Sequence, residues 1–154
     1  MPLEISSIAP TFELPSDGGR TLSLTSLKGQ KVILYFYPKD MTPGCTQESK
    51  EFSDQSKELE AVNTVIVGVS KDSVKRHDRF KDKYQLPFTL ISDEEGALCE
   101  AYDVWRMKKL YSKEYMGNIR STYLIDESVH IQAVWDKDRV NGHVDAVLKA
   151  AQAL

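Results

Sequence analysis

The chain has 154 residues, 41% hydrophobic and 28% charged, with a formal net charge of −3. That length suits one domain, 1–154, with a proper core, and an acidic balance without a basic stripe gives no expectation of a nucleic-acid partner. No apolar run approaches the roughly 20 residues that cross a bilayer, and the opening MPLEISSIAP has neither signal-peptide nor Arg-rich transit character, so no membrane partner and a cytoplasmic location are expected.

TFELPSDGGRTLSL, from Thr11, reads as two short strands around an Asp17-Gly18-Gly19 turn. KVILYFY, Lys31 to Tyr37, is a nearly continuous run of β-formers, as in a strand covered on both faces. A loop with two prolines and a glycine follows, and from Thr46 to Val62 the pattern turns helical, with Phe52, Leu59 and Val62 among polar residues. NTVIVGVS, Asn63 to Ser70, is a second buried strand. DSVKRHDRFKDKYQL is a charged helix with a thin apolar edge of Val74, Phe80 and Tyr84. PFTLIS is a short strand. DEEGALCEAYDVW predicts a helix with Leu98, Ala101, Tyr102 and Trp105 on one stripe. WRMKKLYSKEYMGN, Trp105 to Asn118, reads as a solvated basic loop, with a rim beside the site as the alternative. STYLID and IQAVWD are strands joined by a turn, and NGHVDAVLKAAQAL is a final amphipathic helix.

A hairpin followed by βαβαβαββα implies an α/β three-layer domain, its sheet mostly parallel with a late antiparallel edge. In such sheets, sites form beyond the carboxyl ends of strands. Cys45 lies beyond the carboxyl end of the Lys31–Tyr37 strand, where a loop turns into a helix. A thiol is a good nucleophile only as thiolate, and a helix N-terminus favours the anion. Gly44 lets the backbone approach closely, and Pro43 stiffens the entry. Thr42 offers a hydroxyl that can donate to the sulfur or accept from a substrate, and Pro38 ends the strand and shields the sulfur from water. There is no C-x-x-C pair, so thiol–disulfide exchange of the usual sort is disfavoured. The three histidines and two cysteines lack zinc spacing, and no metal or cofactor is expected. His77 and His143 read as solvated or capping residues. A structural loop cysteine is the alternative to a reactive one.

PKDMTPGCT resembles the P-x3-T-x2-C signature of peroxiredoxins, with Pro38, Thr42 and Cys45 in the fixed positions. YFYPKDMTPGCTQE is most similar to the bacterioferritin comigratory protein, or peroxiredoxin Q, branch. YMGNIRSTYLID is similar to the block that carries that family's active-site arginine, here Arg120. The resemblance runs over nearly the whole chain. It implies a thioredoxin-like three-layer sandwich with an N-terminal β-hairpin and a mixed central sheet. It also implies an antioxidant thiol peroxidase, acting on hydrogen peroxide and organic hydroperoxides without metal or flavin. Cys45 would become a sulfenic acid, Arg120 would stabilise developing charge, Thr42 would orient the peroxide, and Glu48 would support the arginine and threonine.

The chain departs from the branch at its second cysteine. Where other members carry a resolving cysteine, this sequence has Lys50 or Lys81. Cys99 is the only other thiol. It reads as buried and inert, which implies a one-cysteine enzyme reduced by thioredoxin or by glutathione with glutaredoxin. A Cys45–Cys99 disulfide is the alternative and needs Cα atoms within about 7 Å. A non-enzymatic thioredoxin-like binding module is the competing function, and a monomer is expected from the branch.

Overall fold

In the computed structural model, residues 3–137 and 141–154 are described. The strand β3 (Lys31–Phe36) is buried along its whole length. It sits at the centre of a five-stranded sheet because its β-branched and aromatic side chains have a covered face on either side. To one side it pairs in parallel with β4 (Thr64–Ser70), which pairs in parallel with β5 (Thr89–Ser92). To the other it pairs antiparallel with β8 (Ser121–Ile125), and β8 with β9 (Ile131–Trp135). The sheet is therefore mixed, as the sequence implies.

Alternation along β3 sorts the core into two halves. Ile33, Tyr35 and Tyr37 face a layer holding Phe52 of α1 (Pro43–Asp54), Leu59 of α2 (Ser56–Ala61), Phe80 of α3 (Val74–Tyr84) and Val147 of α5 (His143–Ala153). Val32, Leu34 and Phe36 face the other layer, which holds Ala9, Phe12 and Leu24 from the N-terminal region and Leu98 of α4 (Ala97–Ala101). The predicted N-terminal hairpin is present as β1 (Glu13–Pro15) and β2 (Thr21–Ser23), joined by a helical turn over Asp17–Gly19.

Gly68 permits close packing on the sheet. A Cβ there would lie 2.9 Å from the Tyr35 ring and 2.8 Å from Leu90. The ring fills that space, and its hydroxyl meets Ser49 Oγ at 2.9 Å, tying α1 to the sheet.

Three sequence expectations need correction. The long helix after the cysteine loop starts earlier, at Pro43, and breaks at Gln55 into α1 and α2. The helix expected over 93–105 is only five residues long. It ends because Asp103 takes a left-handed conformation (φ 55°), with Val104 N–H donating to Cys99 O and Asp103 N–H to Glu100 O. That is a Schellman stop, and it frees Trp105 to begin a strand while Ala101 is exposed. The basic segment expected as a solvated loop is a β-hairpin, β6 (Trp105–Leu110) with β7 (Lys113–Asn118). Its two-residue turn, Tyr111–Ser112, has positive φ at both positions (51° and 69°), the twist that suits a hairpin.

Candidate active site

Cys45 is the third residue of α1, whose N-cap Thr42 has extended backbone and whose first residue is Pro43. Proline suits that position because its missing N–H has no helical partner there. Arg120 immediately precedes β8. The antiparallel register aligns Ser121 with Phe36, the last residue of β3, so the amino end of β8 lies beside the carboxyl end of β3. Two segments far apart in sequence thus arrive at one end of the sheet. Arg120 is further fixed by Ile119 N–H donating to Val104 O and by Asn118 Nδ2 donating to Tyr37 O. The base of the hairpin is clamped where Arg106 donates to both carboxylate oxygens of Asp136, at 3.0 and 2.7 Å.

Arg120 Nη2 donates to Cys45 Sγ at 3.3 Å, and Nη1 donates to Glu48 Oε1 at 2.8 Å. Burial works against the Arg120 cation. The charges of Glu48 and Cys45, and the hydrogen bonds to both, outweigh it and hold its pKa above the ordinary value. Cys45 and Glu48 are buried, while the guanidinium keeps 17% of its side chain exposed. The sulfur therefore rests in a helix-start environment against a permanent cation.

Of the five residues singled out for the site, Cys45, Glu48 and Arg120 meet here, and Thr42 and Pro38 lie on the chain that leads into α1. Thr42 is half-buried and donates its hydroxyl to Lys39 O at 2.8 Å. Its hydrogen is thereby engaged, so its lone pairs are what it offers a ligand. Pro38 is half-buried at the end of β3. Cys99 does not join them. It belongs to the core half opposite Cys45, across the sheet. Burial first, and then the Asp93 carboxylate, push its thiol pKa far up.

Neither His77 nor His143 is solvated, which corrects the sequence reading. Both are buried. His143 Nε2 lies 2.9 Å from Thr122 Oγ1 and 3.6 Å from Glu48 Oε2. Because Arg120 already engages Glu48, burial and the Arg120 charge prevail and push the His143 pKa down to about 4. Lys108 was also missed. Its ammonium donates to Asn118 O at 3.0 Å, and its stem lies over Gly117, where a Cβ would come within 2.9 Å. Burial first and then the Arg120 charge lower its pKa, while Cys45 opposes them. The signal was the run of basic residues ahead of Arg120.

Among the described residues, one group of side chains is close enough to share a metal ion: Asp40, Asp72 and His77. Its donor atoms are taken by protein partners. Asp40 Oδ1 accepts from Tyr37, Asp72 accepts from Asp40 N, Ser70 and Arg76, and His77 contacts Asp40 and Ile91 O. Protons knit this cluster together.

The family model described as AhpC/TSA matches residues 5–134. A putative peroxiredoxin bcp of Coxiella burnetii is 53% identical over 96% of this chain and 98% of its own length. The peroxiredoxin Bcp of Bacillus subtilis is 48% identical over 97% of this chain and 95% of its own. A solved Xanthomonas campestris bacterioferritin comigratory protein, studied for its alkyl peroxide reduction activity, superposes with a TM-score of 0.88. It is 42% identical over 92% of this chain and 90% of its own.

Proposed function

This chain belongs to the AhpC/TSA family as a thiol peroxidase of the peroxiredoxin Bcp kind, and we propose that Cys45 is its peroxidatic sulfur, working by a one-cysteine mechanism. The observation that carries this is the Arg120 guanidinium, bonded through one nitrogen to Cys45 Sγ and through the other to Glu48. Residues 1–154 act as one thioredoxin-like domain, a monomer of a reducing cytoplasm.

The Cys45 thiolate attacks one oxygen of hydrogen peroxide or an organic hydroperoxide. A sulfur–oxygen bond forms as the oxygen–oxygen bond breaks. The leaving oxygen departs with the bonding pair and takes up a proton as water or alcohol, leaving Cys45 as sulfenic acid. Arg120 stabilises the charge that develops on the leaving oxygen, and Glu48 orients it. Thr42, its hydrogen spent on Lys39 O, accepts from the peroxide O–H and orients the substrate. Pro38 limits water at the sulfur.

Two thiol equivalents close the cycle. The first displaces water from the sulfenic acid to give a mixed disulfide, and the second releases Cys45. Thioredoxin, or glutathione with glutaredoxin, supplies them. An external resolver is supported by the placement of Cys99. A Cys45–Cys99 bond would have to bridge the two faces of the central sheet, and the Cys99 thiol is held protonated by burial.

Reduced protein given one equivalent of peroxide is expected to hold a sulfenic acid that dimedone traps, with no internal disulfide by intact mass. A quantitative loss of two hydrogens without adduct, abolished in Cys99→Ser, would overturn the one-cysteine reading.

A further inference from the structure

The loop from Tyr37 to Thr42 carries two of the proposed site residues and leads directly to Cys45. Its backbone is strained at Met41, a non-glycine residue at φ 68°. Something must hold it, and the holding contacts converge on Asp40. This carboxylate is buried. Its Oδ1 accepts from the Tyr37 hydroxyl at 2.5 Å, and its own backbone N–H donates to Asp72 Oδ2 at 2.8 Å. Its Oδ2 lies 2.6 Å from His77 Nδ1.

His77 has no exposed side-chain surface, and its other nitrogen, Nε2, lies 2.8 Å from the carbonyl oxygen of Ile91. A carbonyl only accepts, so Nε2 carries a hydrogen. Nδ1 faces a carboxylate, and two lone pairs at 2.6 Å would repel. A second proton therefore lies between Nδ1 and Asp40. Removing it would leave an unbalanced negative charge in a buried site. Burial opposes the imidazolium, but Asp40, the Ile91 carbonyl and Asp72 outweigh that and raise the His77 pKa. The ionisable groups facing the pair are Tyr37 from the loop and Asp72 from the segment after β4. Asp72 is itself bonded by Arg76 of α3 and by Ser70.

We propose that His77 is a positioning residue. Its doubly protonated ring fixes Asp40 and thereby the strained loop that presents Pro38, Thr42 and the start of α1 to the peroxide. The inference rests on the peroxidase reading of Cys45. The sign follows from linkage. A raised folded pKa means that the clamp is fully present below the free imidazole value of about 6.5 and is lost as pH rises through the folded value.

The test begins on wild-type protein with nitrogen-15 NMR of the histidine ring, which needs no turnover. Both His77 nitrogens are expected to be protonated at about pH 7.5, where a free imidazole is mostly neutral. In folded His77→Gln, kcat/KM for hydrogen peroxide is expected to fall roughly 10-fold or more and to lose the decline at alkaline pH that release of the clamp should give the wild type. Asp40→Asn, which keeps the shape and removes the charge, is expected to leave the ring neutral and to slow the same step. A singly protonated ring in the wild type overturns the proposal. So does a folded variant of either residue with wild-type kcat/KM from about pH 5 to pH 9. Absence of any peroxidase activity in the wild type would instead sink the reading of Cys45, while the ring protonation would still be read on its own.

Discussion

Two sulfurs lie on opposite faces of one sheet, both almost wholly inaccessible to solvent, Cys45 at 1% and Cys99 at 0% exposure. Burial alone would make both inert. They differ in what surrounds them. Cys45 has a guanidinium donating to its sulfur. Cys99 has its backbone N–H on Asp93 Oδ2 at 2.8 Å, beside a carboxylate that disfavours a second anion. Identical atoms in equally dry places thus lie beside charges of opposite sign.

The widest break in that symmetry comes from deleting each sulfur in turn. Cys45→Ser is expected to reduce peroxide consumption to the uncatalysed background. Cys99→Ser is expected to keep wild-type turnover with an added small-molecule dithiol and to lose stability only, by about 1 kcal/mol, because a buried hydroxyl replaces a thiol. Peroxide consumption and urea melts on both variants measure this. Equal losses of activity would erase the contrast.

Next comes the charge itself. Arg120→Met removes the donor and is expected to lower kcat/KM for peroxide about 100- to 1,000-fold. Arg120→Lys is expected to recover only part of that, because an ammonium is a point charge without the fork that reaches Cys45 Sγ and Glu48 together. Stopped-flow oxidation of the reduced protein separates the two variants. A lysine variant at full speed would mean that charge matters and geometry does not.

Much of this arrangement is legible in the sequence. The Lys31–Tyr37 run, the Pro38–Thr42–Cys45 spacing and the Arg120 block each state a local requirement that neighbouring residues carry. What the sequence conceals depends on distant partners. The Tyr111–Ser112 turn has none of the Asn-Gly chemistry that marks a two-residue hairpin, so a Lys-rich segment reads as loop although it pairs along its whole length. His77 is different, because its signal was present. It lies three residues from both Val74 and Phe80, on the apolar stripe of α3, and only the surrounding charge suggested solvent. That its partner is Asp40, 37 residues away, is a fact of topology alone.

A smaller effect probes the packing behind the reactive face. Gly68→Ala would drive a Cβ into the Tyr35 ring and Leu90. The ring is buried on every side and its hydroxyl holds Ser49, so it has no room to retreat. A loss of about 1–3 kcal/mol is expected by urea unfolding. Slower peroxide reduction should accompany it, since Ser49 lies one turn beyond Cys45 in α1. Cys99→Ala, a comparable disturbance on the other face, should lower stability and leave the rate alone. Equal effects on the rate would mean that the faces are mechanically coupled.

The smallest effect separates the two buried histidines by pH. His143 takes up its proton only near pH 4 when folded, because burial and the Arg120 cation oppose it. In the unfolded chain it does so near pH 6.5. Between those values the unfolded chain binds more protons, so His143 makes stability rise with pH from about 4 to about 6.5 and flat above. His77 has the opposite sign, since its pKa is raised in the fold and its contribution persists as the solution is acidified. His143→Gln should therefore narrow the difference in Tm between about pH 7 and about pH 4.5, and His77→Gln should widen it. Melting curves of the two variants at the two pH values decide the matter. If both shift in the same direction, the fields at the two rings share a sign, and the Arg120 cation does not set His143 apart from His77 within the layer they share.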